Sequence, residues 1–145
     1  MKSIIKRIAL ALMAMLMLMM SVFSASRKVE AATTYNNTIS ASLSCSIDSS
    51  GQLSAVLAAT GYSSLAKKIS VELYIEKRIL GLFWKRVNIG YTDNVWQDSV
   101  TGYYYSNTFT HNLSSGGTYR VTVTYTVSGT GGPDDIIVKT ATAPY

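Results

Sequence analysis

The sequence has few of the residues on which disulfides, metal sites and acid–base catalysis depend. It contains one cysteine, Cys45, and one histidine, His111, among 145 residues. A single cysteine cannot form an internal disulfide, and a single histidine excludes a zinc site built from several histidines. No nucleophile-elbow motif accompanies His111, so a hydrolase built around it is not expected. We predict a protein that is not an enzyme and needs no cofactor.

The longest apolar run lies at the N-terminus and has the pattern of a secretory signal peptide. Two lysines and an arginine precede the apolar stretch 8–23, which is shorter than the roughly 20 residues that a spanning helix needs. Cleavage after Ala31 is favoured over cleavage after Ser24 because it also removes the basic residues between the two sites. We predict a helical signal peptide over 1–31 and one exported domain over 32–145. An uncleaved anchor is the alternative.

Removal of residues 1–31 changes the charge of the chain. This segment holds five of the 13 basic residues and one of the eight acidic residues. The remaining residues carry a net charge of +1, whereas the whole chain carries +5. Nucleic-acid binding needs a cluster of cations that neutralises several phosphates, and a nearly balanced domain does not supply one. No nucleic-acid partner is therefore expected.

Beyond the leader, apolar and polar side chains alternate, which is typical of strands with one solvated face. The first strand places Cys45 on its apolar face, where burial is expected and pairing between molecules is the alternative. No segment of this region has a helical period. The seven predicted strands cover 38–47, 53–61, 69–76, 85–91, 103–113, 119–127 and 136–142.

Seven short strands separated by turn residues favour an all-β fold, a seven-stranded antiparallel β-sandwich. The segment 113–121 reads LSSGGTYRV and resembles the corner before the sixth strand of immunoglobulin-like and fibronectin-type-III-like domains. In that corner a tyrosine at the start of the strand donates its hydroxyl to the upstream backbone, and Tyr119 occupies this position. The resemblance implies a sandwich of this kind without the antibody-type disulfide.

A second resemblance concerns two longer stretches, 68–87 (KISVELYIEKRILGLFWKRV) and 113–132 (LSSGGTYRVTVTYTVSGTGG). Both are similar to a family of short, uncharacterised secreted proteins of Gram-positive bacteria. The resemblance implies export. It implies no activity and no site residues.

The segment 79–84 is apolar at a hairpin tip, where turn residues are normally polar. We predict that it contacts a membrane surface or an extracellular protein, with Phe83 and Trp84 as anchors and flanking cations that meet anionic head groups. A bacteriocin-like or toxin-like agent is one form of this hypothesis. The alternative is a tip that folds back and caps the sandwich. The candidate residues are Leu80, Leu82, Phe83 and Trp84, with Lys77, Arg78, Lys85 and Arg86.

A carbohydrate- or cell-wall-binding module is the alternative function. Trp96 and the Tyr103–Tyr105 cluster, chiefly Tyr103 and Tyr105, would form its aromatic platform. Alternation along a strand turns the middle tyrosine away from its neighbours, so the three cannot form one strip. Packing in the core explains them as well.

A calcium candidate comes from the expected arrangement of the loops. A fibronectin-like order places the 79–84 tip at the same pole as the turns 48–51 and 114–117. The opposite pole then gathers several carboxylates, which are the ligands that Ca²⁺ prefers. No known calcium-loop spacing is present, and ordinary turn roles explain them too. These residues are Asp93, Asp98, Asp134 and Asp135.

Overall fold

Alternating side chains produce two antiparallel sheets in the computed structural model, which describes residues 34–145. The predicted signal peptide lies outside the described residues. Within 34–145, no helix has the length and hydropathy of a membrane span. The elements are β1 (Thr38–Ile47), β2 (Gln52–Gly61), β3 (Ala66–Ile79), β4 (Phe83–Arg86), a 3-10 helix (Thr92–Asn94), β5 (Trp96–Thr101), β6 (Tyr104–Asn112), β7 (Thr118–Gly129) and β8 (Asp135–Pro144).

The first sheet has the order β1-β2-β6, and the second has the order β4-β3-β7-β8. In the second sheet β7 pairs along the whole of β3, from Ala66 to Lys77. The opposite edge of β3 is shared, since β5 pairs with residues 68–73 and β4 with residues 76–79. The all-β class with two antiparallel sheets is therefore correct.

The predicted count of seven strands is wrong, because residues 34–145 form eight. The additional strand is β5, which the sequence placed in a loop. Its inward positions are Trp96, Asp98 and Val100, and the carboxylate in the middle interrupts the apolar pattern. The fourth strand is also displaced, since it covers Phe83–Arg86 instead of the predicted 85–91.

The inner faces of β2, β3 and β7 form the core where the alternation predicted it. Strand β1 contributes a half-buried row, but Ile39 is exposed because the pairing register of β1 shifts between Thr38 and Ser40. The inward residues of the three central strands are Leu53, Ala55, Leu57, Ala59, Ile69, Val71, Leu73, Ile75, Tyr119, Val121, Val123, Tyr125 and Val127.

The predicted tyrosine corner is confirmed. Tyr119 is buried, and its hydroxyl donates a hydrogen bond to the carbonyl oxygen of Ser115 at 2.5 Å. This bond fixes the turn 114–117 at the start of β7. Lys77 Nζ donates to Ser115 Oγ at 2.7 Å, so the end of β3 lies beside the same turn.

At the opposite pole a glycine-rich loop holds the chain before β1. The backbone N–H groups of Asn36 and Asn37 donate to the two carboxylate oxygens of Asp135, at 2.9 and 2.7 Å. The Asn37 side chain is fully buried, donates to the carbonyl of Pro133 and accepts from the N–H of Gly131. We call this arrangement of residues 36–38 with 129–135 the N-terminal clasp.

Candidate functional site

The hairpin β3–β4 carries the apolar tip on a strained turn. Leu82 N–H donates to the carbonyl of Ile79 at 3.0 Å. The two central residues, Leu80 and Gly81, both have positive φ, at 51° and 71°. A type I′ turn has this combination and favours Asn or Gly at its first central position. A leucine there costs about 1–2 kcal/mol because its Cβ crowds the backbone.

The tip projects into open space. Leu80 and Leu82 keep 83% and 82% of their surface exposed, and Phe83 keeps 53%. A Cβ built on Gly81 would meet no atom within 4 Å. The alternative in which Phe83 and Trp84 cap the sandwich is therefore wrong. Neither side chain belongs to the buried core of residues 34–145.

Trp84 lies on the outer face of the hairpin, away from the core, among arginines. The Arg120 guanidinium carbon is 4.3 Å from the centroid of the indole, and that of Arg78 is 6.0 Å away. The Arg86 guanidinium covers the Tyr74 ring at 3.6 Å. Such contacts hold a planar cation in one orientation while part of it stays solvated.

One carboxylate joins this outer face. Glu76 Oε2 accepts hydrogen bonds from Arg120 Nη2 and Nε, at 2.6 and 2.9 Å. In the register of the strands Glu76 faces Arg86 on one side and Arg120 on the other. Sequence reasoning missed Arg120, Tyr74 and Glu76 as members of the site, because only the register brings them beside the hairpin.

The opposite face of the hairpin carries the two lysines. Lys77 and Lys85 are partners in the register. The Lys77 ammonium bonds Ser115 and lies 5.5 Å from the centroid of the Tyr119 ring. Guanidinium groups therefore flank the tip on one face and ammonium groups on the other.

The near-neutral net charge of the domain hides an uneven distribution. Of the eight basic residues in 32–145, four lie in the segment 76–86 around the tip, and Arg120 stacks on Trp84 there. Glu76 is the only acidic residue in the segment 76–86, although β3 also carries Glu72 further from the tip. The exposed apolar tip therefore has a cationic base.

One member of the predicted sugar platform, Tyr105, is buried and is not available to a ligand. Tyr105 is only 4% exposed, and its hydroxyl donates to the Asp98 carboxylate at 2.9 Å. The half-buried Trp96 packs against Phe109, with ring centroids 5.3 Å apart. Tyr103 is exposed.

Three of the four carboxylates of the calcium candidate have other hydrogen-bond partners in the structure. Hydrogen bonds from Asn107 and Tyr105 lower the pKa of Asp98. Asp134 accepts from Ser128 Oγ, and Asp135 holds the N-terminal clasp. Asp93 lies in the 3-10 helix beside β5. Across the described range, no three His, Cys, Asp or Glu side chains are grouped so that they could hold a metal ion.

The single cysteine and histidine lie apart from the hairpin. Cys45 is half-buried on the inner side of β1, and burial raises the pKa of its thiol to about 11. His111 faces Leu53 across the β2–β6 ladder, and burial lowers the pKa of its imidazole.

Comparison with known proteins gives no family for this chain. No protein-family model matches it, and no curated protein matches it either. Two solved structures of a β-glucosidase from Listeria innocua, with gluconolactone and with isofagomine, are 13% and 12% identical, with TM-scores of 0.39 and 0.41. The aligned regions cover 73% and 84% of this chain but only 16% and 20% of the enzyme chain.

A third similar structure is the sporulation control protein of Bacillus subtilis. It is 14% identical with a TM-score of 0.35, over 77% of this chain and 51% of that chain. This chain thus spans at most about half the length of the three structures. Similarity at this level assigns neither a family nor an activity.

Proposed function

We propose that this protein is an exported, non-catalytic binding domain that attaches reversibly to an anionic membrane surface through the 79–84 tip. The observation that carries the proposal is the exposure of Leu80 and Leu82 at the apex of a hairpin with cations on both faces. An apolar apex suits the acyl boundary of a bilayer, and a cationic base suits its head groups.

The energies are of the right size for reversible binding. Transfer of Leu80, Leu82 and the exposed part of Phe83 from water contributes about 1.5–3 kcal/mol for each fully buried side chain. Each cation near an anionic surface contributes about 1 kcal/mol. Association itself costs several kcal/mol, so the net affinity stays moderate.

A lipid surface fits this geometry better than a groove on a protein. Arg78 and Arg86 extend from one face of the hairpin, and Lys77 and Lys85 from the other. A layer of head groups surrounds an inserted tip on every side and meets both sets of cations at once. A protein groove would need acidic walls on two sides. An extracellular protein partner is therefore the second candidate.

Two further features belong to the proposal. The basic and apolar start of the sequence supports export with cleavage near Ala31. The tyrosine corner at Tyr119, with β1, β2 and β6 in one sheet and β3, β7 and β8 in the other, supports an immunoglobulin-like or fibronectin-III-like sandwich. Such a fold presents its loops at two poles, and the tip extends from one of them.

Co-sedimentation with vesicles tests the proposal. The protein without its predicted leader, which retains all of the described sandwich, is mixed with anionic or neutral phosphatidylcholine-based vesicles. We expect pelleting with the anionic vesicles that weakens as salt is added, and loss of pelleting in Leu80→Ser/Leu82→Ser. The matched control is Ile136→Ser/Val138→Ser, which removes two apolar side chains on β8 that are 67% and 58% exposed.

The control variant separates tip insertion from general stickiness. Pelleting that survives in the tip variant, or that falls equally in both variants, would overturn the proposal. A protein partner would instead leave the wild-type protein in the supernatant at every lipid composition.

A further inference from the structure

We infer that two copies of this protein associate through the free edge of β1, so that their first sheets join into one continuous antiparallel sheet. The free edge is the side of Thr38–Ile47 that does not face β2, and no strand within residues 34–145 pairs with it. The inference goes beyond the proposed membrane attachment and does not depend on it, because the hairpin β3–β4 belongs to the other sheet.

The ladder between β1 and β2 shows which backbone groups the free edge presents. Asp48 N–H donates to the carbonyl of Gln52 at 3.1 Å, one step beyond the last register pair of the two strands. Bonded and non-bonded pairs alternate along an antiparallel ladder, so the serines of β1 exchange both of their hydrogen bonds with β2. The residues between the serines direct their N–H and C=O groups to the free edge. These residues are Ala41, Leu43, Cys45 and Ile47.

The edges of β5 and β6 are protected by side chains that bond their outward N–H groups. The same alternation directs the N–H of Ser99 away from β3 and the N–H of Thr108 away from β2. The Asp98 carboxylate accepts from Ser99 N–H, and the side-chain oxygen of Asn107 accepts from Thr108 N–H, each at 2.8 Å. The Asn107 amide also donates to Asp98 at 3.0 Å. Another chain that paired here would have to break these bonds.

The remaining edge strands carry proline or charge. Reciprocal bonds between Gly117 and Tyr145 place Pro144 at an outward position of β8, where it has no N–H to donate. Lys139 occupies an inward position of β8 and is exposed, and an inward charge on an edge strand opposes pairing. Strand β4 is four residues long and ends in two cations. Strand β1 has no charged residue and no proline, and its register shift lies at its start.

A second copy fits this edge because β1 is complementary to itself. A two-fold axis normal to the sheet reverses the strand and keeps its faces, so apolar residues meet apolar residues and serines meet serines. The ladder of β1 is regular from its register shift to Ile47, and an axis at Ser44 uses all of it. Leu43 then faces Cys45 of the second copy. Ala41 faces Ile47, and about eight backbone hydrogen bonds form.

Sedimentation equilibrium tests whether the pair forms, and disulfide crosslinking tests where the copies meet. Both use the protein without its predicted leader. Ser44→Cys is made in a Cys45→Ala background, since a non-hydrogen-bonded pair with Cα atoms about 4.5 Å apart lies within the reach of a disulfide. Ser46→Cys in the same background is the matched control. It is exposed on the same face, but the axis leaves it about 14 Å along the strand from its own copy.

We expect the average mass to rise from one chain to two with concentration. We also expect mild oxidation to crosslink Ser44→Cys at least about tenfold faster than Ser46→Cys. Circular dichroism checks that both variants keep the fold. A mass of one chain at every concentration up to about 1 mM overturns the inference. Crosslinking of neither variant, or crosslinking of Ser46→Cys as fast as Ser44→Cys, overturns it too, because the copies then do not meet at this register.

Discussion

The N-terminal clasp and the 79–84 tip lie at opposite ends of the sandwich and use glycine for opposite purposes. A Cβ on Gly129 would collide with the carbonyl of Leu65 and the side chain of Asn37, so this glycine permits a close approach. A Cβ on Gly81 would meet nothing, and this glycine serves only its positive φ. The buried side-chain polar atoms of the clasp all have hydrogen-bond partners, whereas the tip exposes apolar groups.

This difference separates stability from binding. At one end of the sandwich, the clasp fixes the chain before β1 to the loop between β7 and β8 through side chains with several partners each. The tip contributes little to the core, and its first central residue, Leu80, is strained. We therefore expect changes in the clasp to reduce stability without a direct effect on membrane binding, and changes in the tip to act in the reverse way.

The largest expected effect on stability comes from Gly129→Ala. The added methyl group must displace backbone atoms of Leu65 or the buried Asn37 side chain, and overpacking of this kind costs about 1–3 kcal/mol. Urea unfolding followed by tryptophan fluorescence measures the loss. Gly81→Ala is the control, with a cost of about 1 kcal/mol that comes from φ alone. If both variants lost the same amount, the contrast between the two ends would be incorrect.

A second, smaller effect is acid destabilisation through Asp135. Burial raises the pKa of its carboxyl, but hydrogen bonds from Asn36, Asn37 and Thr38 outweigh burial and hold the pKa below 3.8. As the pH falls, the Asp135 carboxylate is therefore protonated at a higher pH in the unfolded chain than in the folded one. Its contribution to stability is complete above pH 3.8, the ordinary pKa, and is lost as the pH falls through the pKa of the folded state. We expect Asp135→Asn to be less stable at neutral pH by about 2 kcal/mol.

Stability profiles against pH check this assignment. The difference between the wild-type protein and Asp135→Asn should shrink as the pH falls below 3.8, the ordinary pKa. The remaining acid dependence belongs in part to Asp98, whose pKa is also lowered. Parallel profiles at every pH would show that the Asp135 carboxylate does not hold the clasp.

The smallest expected effect is a gain. Leu80→Asn suits a positive φ better than leucine does, so relief of the strain should stabilise the fold by about 0.5–1 kcal/mol. The same change removes an apolar side chain from the apex and should weaken vesicle binding. Thermal melts and co-sedimentation together show whether the two effects have opposite signs. A variant that bound vesicles as well as the wild type would show that Leu80 is not at the contact.

The parts of the fold that follow from local patterns were predictable from the sequence. Alternation gave the inward rows of β2, β3 and β7, and the motif before β7 gave the bond of Tyr119 to the backbone. Strand β5 was missed because Asp98 occupies an inward position, where Tyr105 and Asn107 satisfy it from the other sheet. Such compensation depends on which strands face each other.

The candidate site also has a part that could be predicted from the sequence and a part that could not. The apolar tip and its four flanking cations are visible in the sequence, because they are contiguous. Arg120 is distant in the chain and reaches the hairpin only through the register of β3 with β7. The net charge of +1 likewise gave no sign that most cations meet at one end.

The most direct test of the central claim places an environment-sensitive fluorophore at the tip. Leu82→Cys is labelled in a Cys45→Ala background, with Ile136→Cys labelled as the distant control, since both positions are exposed. On anionic vesicles we expect a blue shift and quenching by nitroxide-labelled lipids at position 82 and neither at position 136. An unchanged spectrum at position 82, or equal changes at both positions, would contradict insertion of the tip.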